Sequence, residues 1–105
     1  MPARFRVRIA KASERDIEDI WNLIARDSIR AATDLVAHLE NQIATLERFP
    51  ERCSLIPENE LLGTRYRHLL FGKYRTILRV SGKTVYILRV VDGARLLDVS
   101  HLESR

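Results

Sequence analysis

The sequence predicts an α+β domain of two layers, in which a helical hairpin covers one face of an antiparallel sheet. Apolar residues recur at helical spacing between residues 17 and 46. In three later segments, between residues 65 and 91, apolar and polar residues alternate, and short turns join the segments. Helices grouped in sequence and followed by adjacent strands are typical of a two-layer α+β fold.

The first element is a predicted strand at the N-terminus. In "FRVRIA", residues 5–10, Phe5, Val7 and Ile9 alternate with two arginines. This period of two is that of a half-buried strand. We expect an edge strand, or one near the edge, with Arg6 and Arg8 pointing outward.

Two amphipathic helices follow this strand. Ser13 and Asp16 resemble a capping box at the start of the first helix, and Trp21 lies on its apolar face, which we expect to be core. Ser28 is a second cap, and the apolar spacing continues to about Arg48, where Pro50 excludes further helix. So short a joint predicts an antiparallel hairpin. The segment from residue 51 to residue 63 has no sustained period and is predicted to be a loop.

The sheet is predicted from strands at residues 65–72, 74–80 and 84–91, with "SGK" as the turn between the last two. Neighbouring side chains on a strand face opposite sides. We expect one face to pack against the helices, through Tyr74, Thr76, Leu78, Val80, Tyr86, Leu88 and Val90. The other face would then mix arginine with branched aliphatic residues, as a protein interface does. Its candidate partner-binding residues are Arg75, Ile77, Arg79, Ile87 and Arg89.

Composition limits the possible function classes. The chain of 105 residues, 46% of them hydrophobic, has the size of one domain, and we expect a single domain over residues 1–105. No segment approaches the roughly 18 apolar residues of a membrane span, so we expect a cytoplasmic protein without a membrane partner. The sequence has one cysteine, no glycine-rich phosphate loop and no His-Glu-x-x-His spacing. We therefore expect neither a metal nor a cofactor.

The charge is unevenly divided along the chain. Residues 1–64 carry 9 basic and 11 acidic side chains, whereas residues 65–105 carry 9 basic and 3 acidic ones. A basic half favours an acidic partner, either nucleic acid or an acidic protein surface.

Three runs of sequence, taken in order, resemble the ParE branch of the RelE/ParE toxin superfamily, whose ParE-like members include plasmid stabilisation toxins. The runs are "LERFPERCSLIPE", "YRHLLFGKYRTILRV" and "VYILRVVDGAR". The most specific pieces are Phe49-Pro50, Tyr74-Arg75 and the ending of the third run, where Asp92 replaces the more usual histidine. The resemblance covers residues 8–95 and agrees with the fold read from the residues.

The resemblance implies the toxin of a type II toxin–antitoxin pair, held inactive by a ParD-like antitoxin with a flexible acidic or amphipathic segment. ParE-like members act on DNA gyrase and trap cleaved DNA without catalytic chemistry of their own. We therefore expect no catalytic residues, gyrase as the target and at most an indirect contact with DNA. The resemblance also adds Arg95, which closes the last long strand of the pattern, to the binding residues.

Two alternatives remain open. The RelE branch of the superfamily cuts mRNA in the ribosome, and such chemistry needs cations for the phosphate and an acid for the leaving oxygen. Arg75 and Arg95 match its two arginines, and His101 is the candidate acid. The second alternative is a non-toxic nucleic-acid-binding domain that places arginines on phosphates. Its arginines would be Arg65, Arg67, Arg75, Arg79 and Arg89.

Overall fold

The computed structural model describes residues 4–93, and in that range the chain forms one five-stranded sheet with two long helices against it. Its elements in chain order are β1 (Arg6–Ile9), α1 (Lys11–Ala25), α2 (Ile29–Ala44), β2 (Ser54–Leu55), α3 (Asn59–Leu62), β3 (Arg67–Phe71), β4 (Tyr74–Ser81) and β5 (Thr84–Asp92). Short 3₁₀ turns occupy Thr45–Glu47 and Pro50–Arg52. No helix within residues 4–93 has the length and apolar content to cross a membrane.

The sheet has the strand order β1-β5-β4-β3-β2. β1 lies at one edge, as predicted, and runs parallel to β5, while every other neighbouring pair is antiparallel. Together with the helical hairpin, this arrangement confirms the predicted α+β fold. The face that packs against α1 and α2 is called the helix face below, and the opposite one is called the outer face.

The second helix begins where its sequence indicates, but its α-helical part ends at Ala44, short of the predicted end near Arg48. The Ser28 side chain caps α2 by accepting a hydrogen bond from the Ala31 N–H at 3.1 Å. After one 3₁₀ turn, Phe49 adopts a left-handed conformation with φ of 49°, and Pro50 follows. The change of direction at residues 49–50 carries the chain away from the helix axis and back towards the sheet.

The predicted capping box of the first helix is wrong. α1 begins at Lys11, so Ser13 lies inside it and is fully buried. The Ser13 hydroxyl donates to the backbone oxygen of Ile87 in β5 at 3.1 Å, which ties the helix to the sheet. Trp21 is half-buried between the two helices, where its indole N–H lies 3.4 Å from Thr33 Oγ1, and it is not part of the buried core.

The segment predicted as a loop is more structured than its composition suggests. β2 pairs with β3, and residues 56–66, called the cover segment below, fold onto the outer face. The Ile56 N–H donates to the Tyr66 oxygen at 3.0 Å and closes the ends of this segment. The Asn59 side chain donates to that same oxygen at 2.9 Å and accepts from the Tyr66 N–H at 3.0 Å. One amide side chain thus replaces regular backbone pairing inside the segment.

The turn between β4 and β5 contains two residues, Gly82 and Lys83, because Ser81 pairs with Thr84 as part of the strands. The predicted turn, residues 81–83, included Ser81. A shift of one residue moves every side chain of a strand to the other face. As a result Val85 packs on the helix face opposite Val80, whereas Tyr86 lies on the outer face opposite Arg79.

A β-bulge then interrupts β5. Leu78 pairs with Ile87 and Ile77 pairs with Arg89, so Leu88 is the extra residue. Leu88 packs on the outer face, and Val90 returns to the helix face beside Tyr74. The bulge therefore splits β5 into two parts with opposite alternation, which strict period-two reasoning does not anticipate.

Replacement of Gly82 tests the turn. Gly82 has φ of 59°, a region that costs an L-residue roughly 1–2 kcal/mol and suits β-branched residues least. Gly82→Val is expected to lower the free energy of unfolding in urea by about 2 kcal/mol. The neighbouring change Lys83→Ala is the control, expected to stay within about 0.5 kcal/mol of wild type because Lys83 is exposed. Equal stability of the two variants would contradict this role for the turn.

Candidate functional site

The structure places the predicted partner-binding residues in several different environments. Ile87 packs on the helix face with Ile43 and Leu46 and has no exposed surface. Its predicted position on the outer face is therefore wrong, and the cause is the length of the turn. Ile87 offers no side-chain surface to a partner.

Ile77 does lie on the outer face, as predicted, but that face is not open at its position. Ile77 is 0% exposed and packs with Leu88 beneath Ile56 and Tyr66 of the cover segment. The expectation of an open mixture of arginine and aliphatic side chains is wrong here, because the chain itself buries the aliphatic part.

Arg75 is held under the same cover. Its Nη1 and Nη2 donate to the two carboxylate oxygens of Glu58 at 3.1 and 2.6 Å, and the residue is only 4% exposed. Such a bidentate pair is geometrically specific and strongly charge-assisted. The guanidinium that the nuclease hypothesis places on a phosphate is thus engaged with a carboxylate from its own chain.

Arg89 reaches across the edge of the sheet to α1. Its Nε and Nη2 donate to Asp16 at 2.7 and 2.9 Å, and the same carboxylate accepts the Val90 N–H at 2.9 Å. The pKa of Arg89 lies above its ordinary value, because the hydrogen bond with Asp16 raises it by more than burial lowers it. β1 pairs with β5 only as far as Ile87. Beyond that point the Asp16 carboxylate, rather than a neighbouring strand, accepts the hydrogen bond from the Val90 N–H.

A groove of about 330 Å³ lies beside this contact, between α1 and the end of β5. Its apolar lining includes Leu23, which is 55% exposed, and Tyr74. Its charged lining combines carboxylates with cations, namely Asp16, Asp19, Asp92, Lys73 and Arg89. The groove can therefore receive a segment that carries apolar anchors and charges of both signs.

Arg79 lies on the outer face beyond the cover segment. Its guanidinium carbon is 4.4 Å from the centre of the Tyr86 ring, a cation–π contact. Arg79 is half-buried, whereas Arg6 and Arg8 on β1 are exposed. Arg95 and His101 lie outside the described residues, so their predicted roles stay predictions.

His68 is a candidate that the sequence pattern did not single out. It pairs with Ile77 across β3 and β4, which puts it on the outer face near Arg75. Burial lowers the pKa of His68 below 6.5, and the Arg75 charge lowers it further. The two-residue turn Gly72-Lys73 between β3 and β4 fixes this register. Counting back from that turn in the sequence would have placed His68 opposite Ile77, on the same face as Arg75.

The remaining candidates for reactive groups are structural. Cys53 is buried in the main core cluster, and burial raises the pKa of its thiol above 9.0. A raised thiol pKa lowers the thiolate fraction, which makes Cys53 a poor nucleophile. Within residues 4–93, no cluster of histidine, cysteine and carboxylate side chains has the arrangement of a metal site.

Comparison with known families gives the fold a biological context. Residues 7–97 match the model of a family described as the ParE toxin of the type II toxin-antitoxin system parDE. The chain belongs to this ParE toxin family. It is thus a toxin of the type II toxin–antitoxin class within the ParE/RelE superfamily. The match confirms the resemblance found in the sequence.

Solved structures with a similar fold are also toxin–antitoxin systems. The chromosomal ParDE system of P. aeruginosa matches with a TM-score of 0.68 and 16% identity, over 86% of this chain and 97% of that chain. The RelBE2 toxin–antitoxin complex of Mycobacterium tuberculosis matches with a TM-score of 0.60 and 25% identity, over 89% of this chain and 95% of that chain. A search of curated proteins finds no match to this ParE-family chain.

Removal of one partner of the pair between Arg75 and Glu58 is expected to be strongly destabilising. The two side chains are only 5% and 12% exposed, so removal of one charge leaves the other in a largely dry environment. Glu58→Gln keeps the size of the side chain and is expected to lower the free energy of unfolding by about 3 kcal/mol. The control is Glu60→Gln, an exposed neighbour on α3. Equal urea midpoints for the two variants would show that the pair is dispensable.

His68 is expected to make stability depend on pH. Its folded-state pKa lies below the unfolded value of about 6.5, so the unfolded chain binds the proton more readily and unfolding becomes easier as pH falls through 6.5. The free energy of unfolding of His68→Gln should therefore fall less than that of wild type between pH 7.5 and pH 5.5. Asn41→Ala, a change at an exposed position of α2 that carries no titrating group, should keep the wild-type dependence. Parallel curves for wild type and His68→Gln would contradict the assignment.

Proposed function

We propose that this ParE-family toxin inhibits DNA gyrase by binding, without catalysis of its own, and that a ParD-like antitoxin neutralises it. One observation carries the choice between the two branches of the superfamily. The Arg75 guanidinium, which a RelE-type ribonuclease would place on the scissile phosphate, is bound by both oxygens of Glu58 and is almost completely buried. A cation that stabilises a phosphate transition state must face the substrate.

The antitoxin is proposed to lie in the groove between α1 and the end of β5. An extended or helical segment of an antitoxin could insert apolar side chains against Leu23 and Tyr74 while its charged residues meet Lys73 and Asp19. The balance of charges in the groove favours an amphipathic segment over a purely acidic one. Arg89 lines this groove and is retained as a proposed partner contact, whereas the buried Ile77 and Ile87 are not.

His68 provides the specific observation in favour of the second candidate, a ribosome-dependent mRNA endonuclease. A neutral imidazole near Arg75 has the chemistry of a general base. This function would require the cover segment to withdraw Glu58 from Arg75, because the pair otherwise blocks the guanidinium. The gyrase proposal requires no such rearrangement.

Two reactions on the purified toxin distinguish the candidates. In the first, gyrase supercoils a relaxed plasmid in the presence of the toxin, and cleaved DNA is measured after denaturation. In the second, translating ribosomes are incubated with the toxin, and cuts in the mRNA are mapped. We expect loss of supercoiling with accumulation of cleaved DNA, intact mRNA, and recovery of gyrase activity when a ParD-like antitoxin from the same genome is added in equimolar amount.

Paired histidine variants sharpen this test. His68→Gln and His38→Gln should both inhibit gyrase as wild type does, since neither residue takes part in the proposed mechanism. Cleavage of mRNA that is lost in His68→Gln but retained in His38→Gln would overturn the proposal and assign the catalytic role to the outer face near Arg75. Antitoxin binding that leaves gyrase inhibition intact would contradict the proposed neutralisation.

A further inference from the structure

The cover segment packs on only one part of the outer face. Where β1, β5 and β4 lie side by side near the turn at residues 82–83, basic side chains occupy neighbouring positions. They are called the arginine strip below, and its members are Arg6, Arg8, Arg79 and Lys83. Arg6, Arg8 and Lys83 are exposed, and Arg79 is half-buried.

The register of the three strands fixes the geometry of this strip. Arg8 pairs with Tyr86, and Tyr86 pairs with Arg79, so the aromatic ring stands between two arginines on neighbouring strands. In the next row, Arg6 pairs with Thr84, and the Arg6 N–H donates to the Lys83 oxygen at 2.8 Å. Residues two apart on a strand are separated by about 6.6 Å and neighbouring strands by about 4.8 Å, so the cations form a compact array on rigid elements.

The electrostatics of the strip favour an anion. Among the described residues of β1, β4 and β5, the one carboxylate is Asp92. It pairs with Tyr74 at the end of the sheet that is far from the turn at residues 82–83. The alternation of β1 turns Val7 towards the core cluster and both arginines to the outer face. Arg6 and Arg8 are exposed like charges two positions apart on one strand, and a polyanionic partner would lower their mutual repulsion.

We propose that the arginine strip binds the phosphate backbone of double-stranded DNA directly. Arginine forms bidentate hydrogen bonds with phosphate, and cations on regular strands can follow a backbone without reading its sequence. The exposed cations Arg6, Arg8 and Lys83 carry this proposal, and Arg79 lies next to them in contact with the Tyr86 ring. This inference goes beyond gyrase inhibition because it concerns a contact that the toxin makes with DNA in the absence of gyrase.

Fluorescence anisotropy of a labelled 20-base-pair duplex, titrated with the full chain at 50, 100 and 200 mM NaCl, tests this surface. The strip variant is Arg6→Gln combined with Arg8→Gln, two exposed changes that are expected to leave the fold intact. Each lost phosphate contact removes about 0.9 from the slope of log K against log salt, so the slope should become shallower by about two units. Affinity at 50 mM NaCl should fall on the order of tenfold or more.

The matched control is Arg26→Gln combined with Arg30→Gln. It removes the same charge from two exposed arginines at the joint between α1 and α2, near the opposite end of the sheet. This control should keep the wild-type slope and at least half of the wild-type affinity. Circular dichroism and urea midpoints of both variants establish that they are folded.

Three results would overturn the inference. They are absence of wild-type binding at 50 mM NaCl, equal weakening by the control pair, and a strip variant that binds DNA as wild type does. If the strip variant instead loses affinity for a ParD-like antitoxin and keeps its DNA affinity, the strip is a protein contact and the proposal is wrong. Gyrase inhibition is measured in a separate reaction. If the toxin fails to inhibit gyrase, the DNA titration still shows whether the arginine strip binds DNA.

Discussion

The two-residue turn at Gly82-Lys83 is the constraint on which the arrangement of this toxin depends. It fixes the register of β4 against β5, and register decides which side chains of β5 face the helices. Val85 and Ile87 enter the core with Ile43 of α2, while Tyr86 is left beside Arg79 on the outer face. The bulge at Leu88 then reverses the alternation, so that Val90 reaches the helix face again. One turn and one extra residue thus distribute core and surface along the longest strand of the sheet.

Acidic residues from outside the sheet decide what its arginines can do. Glu58 comes from the cover segment and Asp16 from α1, and each binds one arginine through two hydrogen bonds. An arginine side chain is buried at a tolerable cost when a carboxylate compensates its charge. Arg75 is compensated in this way and becomes part of the interior, whereas Arg89 remains at the rim of a groove. Of these two arginines on neighbouring strands, Arg75 is buried and Arg89 can contact a molecule in the groove.

The groove beside α1 and the arginine strip are two surfaces of this chain with different chemistry. The groove beside α1 has apolar and mixed-charge lining, which fits a folded or folding protein segment. Within the described residues, the strands of the arginine strip carry one carboxylate, Asp92 at the far end of the sheet, and the strip fits a polyanion. The groove lies between α1 and the end of β5, whereas the strip lies on the outer face near the turn at residues 82–83, so occupancy of one need not exclude occupancy of the other.

The sequence by itself determined the fold class, the start of α2 and the limit that Pro50 sets beyond it, the edge position of β1 and membership of the toxin superfamily. These follow from periodicity, from the Ser28 cap, from Pro50 and from short runs of residues, all of which are local signals. It did not determine the partners of Arg75 and Arg89, the burial of Ile77 and Ile87, or the closeness of His68 to Arg75. Asp16 and Arg89 are separated by 73 positions in the chain, and no local pattern encodes their contact. Only the tertiary structure decided these points, because the burial of a strand residue depends on register and on what covers the sheet, and both are set by contacts between distant parts of the chain.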